Sequence, residues 1–118
     1  VRISSDYLKR IKNGKTIVAP KVEEFISYIA NAFVVVTDSF HATAFSINFN
    51  TPFMIIFPEK FSTRLASILE VTGLQDRIVE DYNDIKLADK TINFEHANKV
   101  LEDERKKASE YLDKALND

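Results

Sequence analysis

Phe33-Val34-Val35-Val36-Thr37-Asp38-Ser39-Phe40-His41-Ala42 is an apolar run that stops abruptly at Asp, Ser and His, where a helix begins. A half-solvated strand alternates apolar with polar residues. This run does not, so it predicts a parallel strand over 33–37 with helices on both faces. In an open α/β sheet, ligands bind outside the carboxyl ends of the strands. The polar residues that close this strand therefore stand where side chains can meet a substrate.

Upstream, Asn31 and Ala32 lead into the strand from a helix whose apolar positions Val22, Phe25, Ile26 and Ile29 share one face. Pro20 suits the first turn of that helix and stops a short strand over 15–19. Further back, Ser5 or Asp6 is expected to cap a helix through Lys12, which Asn13-Gly14 ends. Downstream, a helix over 42–50 is expected to turn Ala44, Phe45, Ile47 and Phe49 inward. Asn50-Thr51-Pro52 breaks it, and a second apolar strand spans 53–57, closed by Pro58. Ser62 or Thr63 opens a helix with apolar Leu65, Ile68, Leu69 and Val71 or Thr72, and Gly73 ends it as a left-handed cap. Ile78 and Val79 form a minimal strand, and residues 81–93 are polar and irregular. A long helix over 95–116 carries a narrow stripe of Ala97, Leu101, Glu104 or Arg105, Ala108, Leu112 and Ala115. That stripe suits a helix leaning on the sheet through a few residues and facing something else with the rest. Alternating strands and helices predict a parallel α/β unit with right-handed crossovers.

The 118 residues give one domain with a modest core, 45% hydrophobic and 29% charged. A net charge of -2 shows none of the basic excess of a nucleic-acid binder. The basic residues Lys9, Arg10, Lys12 and Lys15, and again Arg105, Lys106 and Lys107, lie among acidic ones and read as solvated faces. The chain has no cysteine, which excludes disulfides and thiolate metal sites and suits a reducing compartment. No segment has the run of about 20 apolar residues that spans a bilayer. The two histidines, His41 and His96, are far apart and make no metal site alone. No signal peptide is visible, and Val1 stands where a start methionine would be, so the chain is expected to be part of a larger protein. As a scaffold it is short for a whole enzyme.

At the strand end, Asp38 can orient an imidazole, cap a helix or serve as a turn residue. Ser39 can cap the helix, and its hydroxyl with the first free backbone amides would suit a phosphate or carboxylate. His41 can be a general acid or base, hydrogen-bond a ligand oxygen, or simply tie the strand end to a neighbouring loop. Arg64, at the start of the helix after the next strand, can reach the same crevice if the two strands are neighbours. A surface ion pair with Glu59 is the plainer reading of it. Lys60 is nearby and less constrained. Arg77, beside Asp76, reads as structural, fixing the loop before the short strand, and His96 as a surface or packing residue. Gly14 and Gly73 are the only glycines, and neither makes a phosphate loop, so dinucleotide binding is not expected. Thr37 and His41 stand where a serine hydrolase elbow needs glycine.

The stretch Val35-Val36-Thr37-Asp38-Ser39-Phe40-His41-Ala42-Thr43-Ala44-Phe45-Ser46-Ile47 resembles the signature of the polysaccharide pyruvyl transferase family. The resemblance continues through Phe49-Asn50-Thr51-Pro52-Phe53, Ser62-Thr63-Arg64-Leu65-Ala66-Ser67-Ile68-Leu69 and Gly73-Leu74-Gln75-Asp76-Arg77-Ile78-Val79. On it, residues 15–117 look like the carboxyl-terminal part of the family's catalytic region. The implied fold is a Rossmann-like sheet flanked by helices, resembling the C-terminal half of a GT-B-type two-domain transferase. The implied activity is transfer of a pyruvyl group from phosphoenolpyruvate to a sugar of an exopolysaccharide or cell-surface polysaccharide, with no cofactor or metal. His41 matches the family's strand-end histidine, which contacts the donor or moves a proton. Ser39 matches a position that holds arginine in other branches, and Arg64 matches the arginine opening the following helix, a candidate to replace that charge. Ala42 stands where glycine is usual.

The implied partners are phosphoenolpyruvate, a lipid-linked or polymeric saccharide acceptor and a missing amino-terminal domain, without which the unit is expected to be inactive. The implied location is cytoplasmic, or peripheral to the inner face of the membrane. The fold also admits a related glycosyltransferase domain using a nucleotide-sugar donor, or a noncatalytic interaction module whose last helix packs on a partner.

Overall fold

The computed structural model describes residues 2–4, 14–18, 20–56, 63–79, 86 and 90–117. The expected helix through Lys12, and Ser62, Glu59, Lys60 and most of 81–93, lie outside the described residues. Strand β1 (Arg2–Ser4) pairs in parallel with β2 (Thr16–Val18), Ile3 opposite Ile17. A separate three-stranded parallel sheet has the order β3 (Val35–Thr37), β4 (Phe53–Ile56), β5 (Ile78–Val79). Helices α1 (Val22–Ala30), α2 (Phe40–Phe49), α3 (Thr63–Thr72) and α4 (Glu95–Asn117) complete the order, with a 3-10 turn at Gln75–Arg77 before β5. The mixed α/β, Rossmann-like class read from the sequence is the class observed.

Helix α2 is the centre of the packing. Its buried residues are Ala42, Thr43, Ser46 and Ile47, which include two polar side chains that apolar periodicity does not find. Both hydroxyls are satisfied within the helix, Thr43 Oγ1 donating to the Ser39 carbonyl at 2.8 Å and Ser46 Oγ to the Ala42 carbonyl at 2.7 Å. Small residues with self-satisfied hydroxyls let neighbouring elements approach closely. Phe49, expected to point inward, is 44% exposed, and its ring stacks on Phe45, which meets Phe25 of α1 edge-on. Val22, at the first position of α1, is exposed, while Phe25, Ile26 and Ile29 turn inward. Pro20 precedes the extended Lys21 that caps α1, so it lies just outside the first turn.

The two central helices end alike. Asn50 adopts left-handed φ 57°, with its N–H to the Ile47 carbonyl and the Thr51 N–H to the Ser46 carbonyl. Gly73 has φ 69°, with its N–H to the Glu70 carbonyl and the Leu74 N–H to the Leu69 carbonyl. Both are paired-bond closures that satisfy the last carbonyls and turn the chain back toward the sheet. Thr51 Oγ1 also donates to the Ile29 carbonyl at 3.0 Å, tying the end of α1 to the start of β4.

The core gathers Ile47, Phe53, Ile55, Leu65, Leu69, Leu74 and Ala97 on one side of the sheet. The register sets Val36 opposite Met54 and Ile56 opposite Val79, and these side chains share the other face. On that face Met54 is buried, but Val36 and Ile56 are half exposed. The apolar run predicted cover on both faces; among the described residues one face is open at these positions. Phe33, expected to open the strand, precedes it and is exposed. Helix α4 packs on α2 and α3, and Ala97 and Leu101 join the core that also holds Phe53 and Ile55 of β4.

Candidate functional site at the carboxyl edge of the sheet

β3 and β4 are neighbours, so the turn after Thr37 and the chain leaving Ile56 emerge on the same edge. The strand-to-helix turn is held by its own polar groups. The Ser39 N–H donates to Thr37 Oγ1 at 3.0 Å, and Ser39 Oγ accepts from the Ala42 N–H at a long 3.4 Å. Ser39 is therefore the cap, in extended conformation, and Asp38 is not. The Asp38 carboxylate is exposed beyond the strand end. The amides of Phe40 and His41, in the first turn of α2, have no carbonyl within the helix to reach and point out over this edge.

His41 and Arg64 are both exposed, and both meet the ring of Phe40. The imidazole lies edge-on to it, centroids 5.6 Å apart at 80°, and the Arg64 guanidinium carbon lies 5.0 Å from its centroid. The arginine that opens α3 thus reaches the strand-end turn. An arginine supplies a fixed charge and a fork of donors, an imidazole supplies a proton-transfer group, and the end of a helix favours negative charge. Phe40 was not singled out by sequence reasoning. Its only signal is an aromatic side chain at the first helical position beside a histidine.

A groove of about 1000 Å³ runs beside β3 and α1, bordered by Phe25, Tyr28, Val35, Asp38, Ser39 and Ala42. Asp38 and Ser39 thus face the groove, while His41 and Arg64 lie outside its lining. Arg77 is elsewhere. It is 2% exposed, and its Nε donates to the Phe53 carbonyl at 2.8 Å, which fixes the chain before β5 as its structural reading expects. Burial lowers its pKa below the usual arginine value, and neighbouring Asp76 partly opposes that. His96 packs its ring 3.3 Å from where a Cβ on Gly73 would stand. Among the described residues no group of His, Asp and Glu is gathered as a metal would need, and no helix is long and apolar enough to cross a membrane.

Fold and strand end together define an α/β domain that sets Asp38, Ser39, His41 and Arg64 near the carboxyl edge of its sheet. The polysaccharide pyruvyl transferase family model matches residues 2–56 of the chain. That stretch holds Asp38, Ser39 and His41 and shows the family resemblance read from the sequence; it is a transferase family, and its name specifies a polysaccharide acceptor. The match lies in the amino-terminal part of this chain, so it does not support assigning the chain to the carboxyl-terminal part of the family's catalytic region. Arg64 and the blocks at 62–69 and 73–79 lie beyond it. No curated protein and no solved structure matches the chain.

Proposed function

We propose that the carboxyl edge of the sheet is the phosphoenolpyruvate site of a transferase that moves a pyruvyl group onto a saccharide of an exopolysaccharide or cell-surface polymer. The observation that carries the reading is the meeting of His41 and Arg64 on the ring of Phe40, beside the capped start of α2. Phosphoenolpyruvate bears a carboxylate and a phosphate. Arg64 pairs with one of these anions, and the Ser39 hydroxyl and the amides that open α2 meet the other. Asp38 faces the groove, where it accepts from a sugar hydroxyl.

The chemistry needs little beyond proton movement and charge neutralisation. The methylene carbon of phosphoenolpyruvate gains a proton, and a sugar oxygen bonds to the neighbouring carbon. A second sugar hydroxyl then bonds to that carbon as the bond to the phosphate oxygen breaks. A pyruvate ketal and inorganic phosphate result, with one hydroxyl proton retained on the new methyl group and the other released. His41 carries one of these protons, and Arg64 offsets charge on the departing phosphate. This unit works as one half of a two-domain, GT-B-like enzyme whose other half completes the cleft, with donor and catalyst meeting in the cytoplasm or at the membrane's inner face.

The test is calorimetric titration of phosphoenolpyruvate into the full-length protein and its His41→Ala and Arg64→Ala variants. Removing a charge-assisted contact predicts at least about tenfold weaker binding for Arg64→Ala. Full affinity in both variants would remove these residues from the donor site. A folded wild type that binds nucleotide sugars and not phosphoenolpyruvate would replace the donor.

A further inference from the structure

We infer that Phe40 is a positioning residue of the strand-end site: its ring is in contact with both the Arg64 guanidinium and the His41 imidazole and keeps the two at the start of α2, where one anionic ligand meets both. The choice of ligand rests on the donor-site reading above, but the platform itself stands on geometry alone.

The three groups come from two different elements. Phe40 and His41 open α2, whose first turn is fixed by the Ser39 cap and by the Thr43 N–H and hydroxyl bonds to the Ser39 carbonyl. Arg64 opens α3, which reaches the turn from the next strand over. The face of an aromatic ring is its negative region and the edge its positive one. A guanidinium carbon 5.0 Å from the centroid is within the range where the ring attracts a cation. The imidazole meets the same ring in an edge arrangement, 5.6 Å between centroids at 80°. Arg64 is exposed and forms no ion pair with the described residues, so the ring limits where its charged end goes. Chain adjacency already sets His41 beside the ring, whereas Arg64 comes from another helix, and the Phe40 ring is what its guanidinium meets at this turn. Phe40 itself is half-buried, which roots the platform in the body of the domain while its partners stay in solvent.

Leucine at this position keeps apolar bulk and removes the ring; tyrosine keeps the ring. Nuclear magnetic resonance of the full-length protein reads the platform without any ligand. The Arg64 side-chain protons are expected to be shifted upfield by the ring in the wild type, to return to ordinary arginine values in Phe40→Leu, and to stay shifted in Phe40→Tyr. Unshifted Arg64 protons in the wild type would overturn the inference whether or not any variant folds. Phosphoenolpyruvate affinity is expected to fall about two- to fivefold in Phe40→Leu and to recover in Phe40→Tyr. Loss of the ring shift with unchanged affinity would overturn the positioning role. A wild type that shows the ring shift but does not bind phosphoenolpyruvate would leave the platform standing and sink the donor-site reading instead.

Discussion

Asn50 serves two purposes, and its substitutions separate them. It closes α2 in the left-handed region, and its side-chain amide exchanges bonds of 3.0 and 2.8 Å with Asn98 of α4. Glycine keeps the conformation and loses the amide pair together with the 3.3 Å bond from Asn50 Nδ2 to the Ile47 carbonyl, so Asn50→Gly is expected to cost about 1 kcal/mol. A β-branched side chain adds left-handed strain, so Asn50→Val costs about 1–2 kcal/mol more. Urea unfolding checks the order of the two, and equal midpoints would contradict it. Gly73→Ala meets the same strain and also presses on His96, and is expected to destabilise by about 1–2 kcal/mol. The role of Gly73 was legible because a glycine that directly follows an apolar helical stripe is the residue best suited to a left-handed cap. That of Asn50 was legible only as a break, because its partner lies 48 residues away and no local pattern announces an amide pair. Burial lowers the pKa of Arg77, with Asp76 opposing, so the unfolded chain holds that proton more tightly and stability rises as pH climbs through the folded-state value.

At the level of elements, the strands and helices from Thr16 onward followed from the apolar runs and their breakers, with α2 starting two residues early, but β1 and the pattern of burial did not. Helix α2 hides Thr43 and Ser46 and shows Phe49, because it lies against the sheet and against other helices, and close packing there selects small side chains. Truncating a wholly buried side chain in it, Ile47→Ala, is expected to cost about 2–5 kcal/mol. Helix α4 divides in two. Ala97 is buried and Leu101 partly so, whereas every position from Glu102 through Asn117 is exposed, including Tyr111, Leu112 and Leu116. Ending the chain at Glu104 is therefore expected to change unfolding free energy by about 1 kcal/mol or less, the loss including the Arg105 bond to Asn48. Ala97→Asp, which puts a carboxylate into the core, is expected to cost about 3–5 kcal/mol. Chemical denaturation of the two variants checks the contrast. Comparable losses in both would mean the distal half of α4 is bound to something that stabilises it.

Across the whole molecule, the radius of gyration is 16.4 Å, against about 13.5 Å for a compact domain of this length. The 23-residue α4 contributes to this, extending about 35 Å with its distal half in solvent. The half-exposed Val36 and Ile56 belong to the same picture: a parallel strand that reads as buried on both faces has one face partly open here. The apolar run predicts a sheet covered on both sides, and residue types alone carry no information on how much cover each face receives. The candidate site at the strand end is legible as a place, since Asp38, Ser39 and His41 follow directly from where the apolar run stops. Arg64 was legible as a candidate, since adjacent parallel strands deliver their loops to one edge. The ring that joins Arg64 to His41 was not, because a phenylalanine beside a helix cap reads as packing.

The most direct measurement is a map of backbone amide shifts as phosphoenolpyruvate is titrated into the full-length protein. The largest changes are expected at residues 38–42 and 63–65, at the openings of α2 and α3. Saturable changes confined to other surfaces, or none with the protein folded, would contradict the donor-site reading.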